Sequence, residues 1–114
     1  MAHELVLGLV VGVSVIGFGL PSLAADMPRY DPEGYCKEVA SFGGDYSAML
    51  DKSCLEMEQT AYNALKTRWD GISSYARSYC NEVALFGGGG SYNLLKSCIA
   101  MEEQAADSKK EFKF

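Results

Sequence analysis

Tyr35 to Ala61 reads YCKEVASFGGDYSAMLDKSCLEMEQTA, and Tyr79 to Ala105 reads YCNEVALFGGGGSYNLLKSCIAMEEQA. The two stretches align without a gap at an offset of 44, with 16 of 27 positions identical, among them Cys36/Cys80, Phe42/Phe86, Ser47/Ser91, Leu50/Leu94, Cys54/Cys98, Met57/Met101 and Glu58/Glu102. A repeat of this length is one supersecondary unit that buries an apolar face against its neighbour. Each copy reads as helix, glycine turn, helix. Asp31-Pro32 has the form of a helix start, a cap followed by proline in the first turn. Tyr35, Val39 and Phe42 recur at helical spacing, and Gly43-Gly44 ends the segment. Asp45 or Ser47 caps the next helix. There Leu50, Cys54, Met57, Ala61 and Leu65 form one stripe, with Lys52, Glu56, Glu58, Asn63 and Lys66 off it.

The second copy follows the same plan. Trp69-Asp70-Gly71 closes the first unit and Ser73 or Ser74 caps the third helix, which runs to Phe86. Gly87 to Gly90 make the turn, and Ser91 caps a fourth helix with the stripe Leu94, Cys98, Met101 and Ala105. All three prolines lie before residue 33, and strand-like alternation is absent. The expected fold is therefore all-α: two tandem antiparallel helical hairpins, residues 35–69 and 70–108, with a short linker over 25–34 and a flexible tail over 109–114.

The cysteines fit that plan. Cys36 stands seven residues before Gly43 and Cys54 seven after Ser47, and Cys80 and Cys98 repeat the arrangement. Seven residues is about 10 Å along a helix, so each C-x17-C pair faces itself across its own hairpin. Helices packed roughly 8–10 Å apart bring inward cysteines near the Cα separation of about 5.5–6 Å that a disulfide needs. Of three pairings open to four cysteines, the repeat selects Cys36–Cys54 with Cys80–Cys98. Zinc favours closer cysteine pairs or histidine, and redox or haem motifs of the C-x-x-C type are absent. No metal or cofactor is expected.

Residues 1–25 point to export. Leu5 to Leu20, LVLGLVVGVSVIGFGL, is uncharged, and Ser22 and Ala24 suit cleavage after Ala24, which makes 1–24 a signal peptide. The alternative is an uncleaved anchor, since residues 5–25 are long enough for a bilayer and their glycines suit packing against other membrane helices. The leader MAHE has no Lys or Arg, which departs from the usual signal pattern. Disulfides agree with an oxidising destination, periplasmic or secreted, with an inner-membrane anchor facing the periplasm as the alternative.

Charge and composition narrow the function. The 114 residues carry ten Lys and Arg against fifteen Asp and Glu, a net charge of −5. Without Glu4 the exported part is −4, from ten basic and fourteen acidic residues. A chain with no basic run is not expected to bind nucleic acid or an anionic membrane surface. The one histidine is His3, inside the targeting segment, so the mature chain lacks the commonest general base. Glu38/Glu82 and Glu58/Glu102 read as solvated helix faces or partners of Lys52 and Lys96, not as an acid–base pair. Most tyrosines read as core or turn packing with a wet hydroxyl, and Trp69 as cover for the seam between hairpins. Trp69, Tyr46 and Tyr92 are candidate partner-binding residues.

The motifs YCxEVAxFGG and SCxxME, with the ending of the chain, resemble a group of small exported proteobacterial proteins with two Cys-containing hairpins and a Trp-containing link. The resemblance spans residues 28–114. It implies export and architecture and carries over no activity, cofactor or functional residue. The expected function is a non-enzymatic structural or protein-binding module of the cell envelope, its partner another envelope protein. The alternative is an accessory subunit of a larger membrane complex, held through residues 5–25.

Overall fold

The computed structural model describes residues 26–86 and 88–114. They form four helices: α1 (Pro32–Ala40), α2 (Ala48–Lys66), α3 (Ser74–Ala84) and α4 (Tyr92–Ser108), with a short 3₁₀ turn at Trp69–Gly71 between the hairpins. There is no strand among the described residues. The expected signal peptide, and its alternative as an anchor, lie outside them. No helix among them is long and apolar enough to cross a membrane.

Each helix begins at a side-chain cap. Asp31 Oδ1 accepts from the Gly34 amide at 3.1 Å, and Ser47 Oγ from Leu50 at 3.2 Å. Ser73 Oγ accepts from Ala76 at 3.1 Å, and Ser91 Oγ from Leu94 at 3.2 Å. These contacts choose Ser47 over Asp45 and Ser73 over Ser74, each worth about 1 kcal/mol. Helix α3 stops two residues short of Phe86. The Phe86 amide turns back to the Val83 carbonyl, an i−3 bond that tightens and ends the helix.

Both disulfides form as the spacing requires. Cys36 pairs with Cys54 and Cys80 with Cys98, each across one hairpin with Cα atoms 5.5 Å apart. They tie α1 to α2 and α3 to α4. The two hairpins then meet through α2 and α4. These run parallel: Glu58 reaches Tyr92 and, further along both helices, Arg68 reaches Glu103.

The core lies at this junction and differs from the expected stripes. Ala61, Leu65, Trp69, Ile72, Ala76, Cys80, Ala84, Tyr92, Leu95 and Ile99 form one buried cluster, with Met27, Tyr30, Tyr62 and Cys98 against it. Leu50, Met57, Leu94 and Met101 are exposed, whereas Asp51, Glu58, Leu95 and Ile99 are buried. On α2, Ala61 and Leu65 of the expected stripe are buried, but at Leu50 and Met57 the buried position is the next residue, Asp51 or Glu58, a rotation of about 100°. The cause is the second neighbour: α2 packs on α1 and on α4, so its covered surface is set by both.

Within the expected linker, residues 26–34 are part of the fold. Pro32–Gly34 are already helical, and Tyr30 lies on Tyr92 with ring centroids 4.6 Å apart. Its backbone amide donates to the Tyr92 hydroxyl at 2.9 Å, and its own hydroxyl donates to Asn81 Oδ1 at 2.6 Å. The tail 109–114 has no regular structure.

Tyr30 also explains Gly90. Gly90 has φ of +100°, and a Cβ there would stand 2.4 Å from the Tyr30 ring. Gly44, with φ of +110°, has open space instead. Gly44→Ala is therefore expected to cost about 1 kcal/mol of backbone strain. Gly90→Ala is expected to cost about twice that or more, because Tyr30 must also leave Tyr92. Thermal melts followed by circular dichroism check the order; equal losses would deny the Tyr30 contact its role.

Candidate functional site

A cleft of about 690 Å³ lies where the N-terminal segment, α2 and α4 meet; its walls include Arg29, Tyr30, Leu55, Glu58, Tyr62 and Tyr92. Glu58 is 2 % exposed, against the expectation of a solvated carboxylate. Its Oε2 accepts from the Ser91 hydroxyl at 2.6 Å and the Asn93 amide at 3.2 Å, and its Oε1 from the Tyr92 amide at 2.7 Å. With Ser91 Oγ accepting from Leu94, the first three amides of α4 all have partners. Such amides otherwise have none within the helix, and the positive end of the helix dipole favours an anion. Both oxygens are committed to this cap, and the carboxylate is a structural anion that joins the hairpins.

The three tyrosines of the cleft form one packed group. Tyr62 meets Tyr92 edge-on at 4.9 Å, and the Tyr92 hydroxyl accepts from Tyr30 and donates to the Pro28 carbonyl at 2.9 Å. Burial, then the neighbouring Tyr92 and Glu58, hold the Tyr30 hydroxyl protonated well above the usual tyrosine range. None of these groups is positioned as a free acid, base or nucleophile. Glu38 and Glu82 are exposed on α1 and α3. Among the described residues no three His, Cys, Asp or Glu side chains converge as metal ligands.

The candidate binding residues separate. Trp69 is 6 % exposed and covers the seam between the hairpins, with the Arg77 guanidinium 5.7 Å from its ring centroid. Tyr92 is buried beneath Tyr30. Neither offers a surface anchor, because both are spent on the junction. Tyr46 is exposed, and its hydroxyl donates to Asp51 Oδ2 at 2.5 Å; that bond raises its pKa above the usual tyrosine value.

The surface instead presents apolar side chains that were expected inside. Val39, Phe42, Leu50 and Met57 are exposed on the first hairpin, and their counterparts Val83, Phe86, Leu94 and Met101 on the second. Phe42 and Phe86 are 92 % and 89 % exposed. On the first hairpin Tyr35, Val39, Leu50, Cys54 and Met57 line one groove of about 220 Å³. On the second, Tyr79 stacks on Tyr75 at 5.8 Å beside Val83. Contiguous exposed apolar surface of this kind marks interaction sites.

No family model, no curated protein and no solved structure matches the chain.

Proposed function

We propose that this is an exported, non-enzymatic protein of the cell envelope, periplasmic or secreted, whose two hairpins each present the same apolar face to a protein partner. Two disulfides point to an oxidising compartment outside the cytoplasm, and the leader is read as a signal peptide cleaved after Ala24. The resemblance to small exported proteobacterial proteins agrees with this placement. The observation that carries the reading is the duplicated set of exposed apolar side chains, identical in type on both hairpins. A solvated surface gains nothing from a bare phenylalanine at the same place on two hairpins, whereas burial against a partner is worth about 1.5–3 kcal/mol per large side chain.

The test is photo-crosslinking in the living host from a benzophenone amino acid at position 42 or 86, with position 52 as the polar control. The same envelope-protein adduct is expected from 42 and 86 and not from 52. Absence of adducts, or the same adducts from all three, would refute the binding role. Peptide mapping of the adduct also reads the N-terminus. A chain retaining residues 5–25 in the membrane fraction would replace the soluble module with an anchored subunit.

A further inference from the structure

The hairpins are related by displacement, not by a two-fold axis. Parallel α2 and α4 meet through unlike faces of like helices. Helix α4 contributes Tyr92, Leu95 and Ile99 from its first turns; α2 contributes Glu58, Ala61, Tyr62 and Leu65 from its later ones. At the offset of 44, the first hairpin has its own copy of the α4 face in Ser47, Ala48, Asp51 and Leu55. The second has its own copy of the α2 face in Glu102, Ala105, Ala106 and Lys109. A contact between unlike faces leaves one of each kind unused.

The unused faces have changed in matching pairs. Leu65 and Leu95, both fully buried in the junction, correspond to Lys109 and Asp51. The edge-on pair Tyr62–Tyr92 corresponds to Ala106 and Ala48. Glu58, which caps α4 at Ser91, corresponds to Glu102 and Ser47, unchanged in kind. Two buried leucines have thus become opposite charges, a large pair has become a small pair, and the capping pair has stayed.

Asp51 supplies an independent observation. It is 8 % exposed, and its Oδ1 is buried with no hydrogen-bond partner among the described residues. It lines an open groove of about 410 Å³ together with Ala48 and Leu55, the counterparts of the α4 residues that fill the junction. A buried carboxylate oxygen without a donor is rare and costly. In the register of the junction Lys109 comes one turn past the point opposite Asp51. Lys109 is the first residue past α4, with extended backbone, and its flexible four-carbon stem is long enough to bring the ammonium back across one turn to the Asp51 carboxylate.

We infer that the chain associates head to tail with a second copy of itself. Glu102, Ala106 and Lys109 of one molecule seat on Ser47, Ala48 and Asp51 of the next. Glu102 then caps the exposed Ala48 and Met49 amides as Glu58 caps Tyr92 and Asn93. The operation displaces without closing, so association is open-ended. It uses a different side of α2 from Leu50 and Met57 and does not rest on the partner-binding reading above.

The test is sedimentation velocity on the oxidised protein as isolated from its host. Average mass is expected to climb with concentration without levelling at a dimer, and to fall in about 0.5 M salt, where charges are screened within a few Å. Ala48→Arg and Ala106→Arg are both on exposed positions. Each alone is expected to weaken association by about tenfold or more. Mixed one to one they restore a single good contact and give a dimer that does not grow. Lys109→Asp is expected to abolish association and Asp51→Lys in the same chain to restore it; the single Lys109→Asp variant is read if the double does not fold. Phe42→Ala with Phe86→Ala leaves association unchanged. A protein monomeric up to millimolar concentration would overturn the inference, as would a closed dimer indifferent to positions 48 and 106.

Discussion

Replacing Cys80 and Cys98 by alanine is expected to unfold the protein cooperatively, whereas replacing Cys36 and Cys54 is expected to release α1 and leave the rest seated. Each bridge spans 18 positions. Closing such a loop is worth on the order of 3 kcal/mol in the chain-entropy account, against about 5–15 kcal/mol for a whole small domain. The two bridges differ in what surrounds them. Cys80 belongs to the main buried cluster with Ala76 and Ala84. Helix α1 has nine residues and buries only Cys36 and Ala40, neither of which joins that cluster. Without its disulfide α1 has little to hold it, since isolated helices shorter than about 12–15 residues are marginal in water. Amide hydrogen exchange on the Cys36→Ala/Cys54→Ala protein should show rapid exchange over 32–40 and retained protection over α2 and α4. Global loss of protection there, or a fully protected Cys80→Ala/Cys98→Ala variant, would reverse the assignment. Reduction of the wild type should reproduce both losses in sequence as the reductant is raised.

What could be read from the residues was whatever is settled inside one hairpin. Cysteine spacing fixes the bridges because an antiparallel turn makes equal distances from the turn adjacent. Serine and aspartate caps mark the helix starts because their side chains bond amides three residues on. Beyond Trp69 at the seam and Ala61 and Leu65 on the α2 stripe, the contacts between hairpins were not readable, and the reason is the kind of symmetry. Residues at a junction of unlike faces are free to differ between copies, and the largest of them do: Leu95 against Asp51, Tyr62 against Ala106, Leu65 against Lys109. Residues identical in both copies serve each hairpin alone, face outward alike or, like Glu58, Ala61 and Ser91, sit in the junction with an unchanged counterpart. Leu50/Leu94 and Met57/Met101 drew attention as a core stripe because they repeat, and they repeat because they lie outside the junction. Comparing the non-identical positions was the available signal for the core.

Tyr30 carries no signal in the sequence for a related reason. It precedes the repeat and shows no periodicity, so nothing local marks it. Its importance comes from the space above Gly90 and the hydroxyl of Tyr92, both more than fifty residues away. Glu58 reads as solvated in the sequence because charged helix residues are rarely buried without a partner. Its partners are backbone amides at the start of α4, which a sequence does not display.

Glu58 therefore carries the second large effect. Glu58→Ala should destabilise the protein by about 3 kcal/mol, because the Ser91 hydroxyl and the Tyr92 and Asn93 amides lose a charged acceptor at a buried position. Glu58→Gln tests the charge separately. One carbonyl oxygen can still accept, but the amide nitrogen now faces N–H donors, and the helix dipole loses its anion. A loss of about 2 kcal/mol is expected. For a domain of this size each kcal/mol lowers the melting temperature by about 4–8 °C, so both variants should be plainly resolved. Glu102→Ala, the same residue type at the equivalent place on α4, should stay within about 0.5 kcal/mol in the isolated molecule because it caps no helix there. The contrast isolates position from residue type. If Glu58→Ala and Glu102→Ala melt together, the buried cap does not hold the hairpins to each other, and the apolar cluster alone joins α2 to α4.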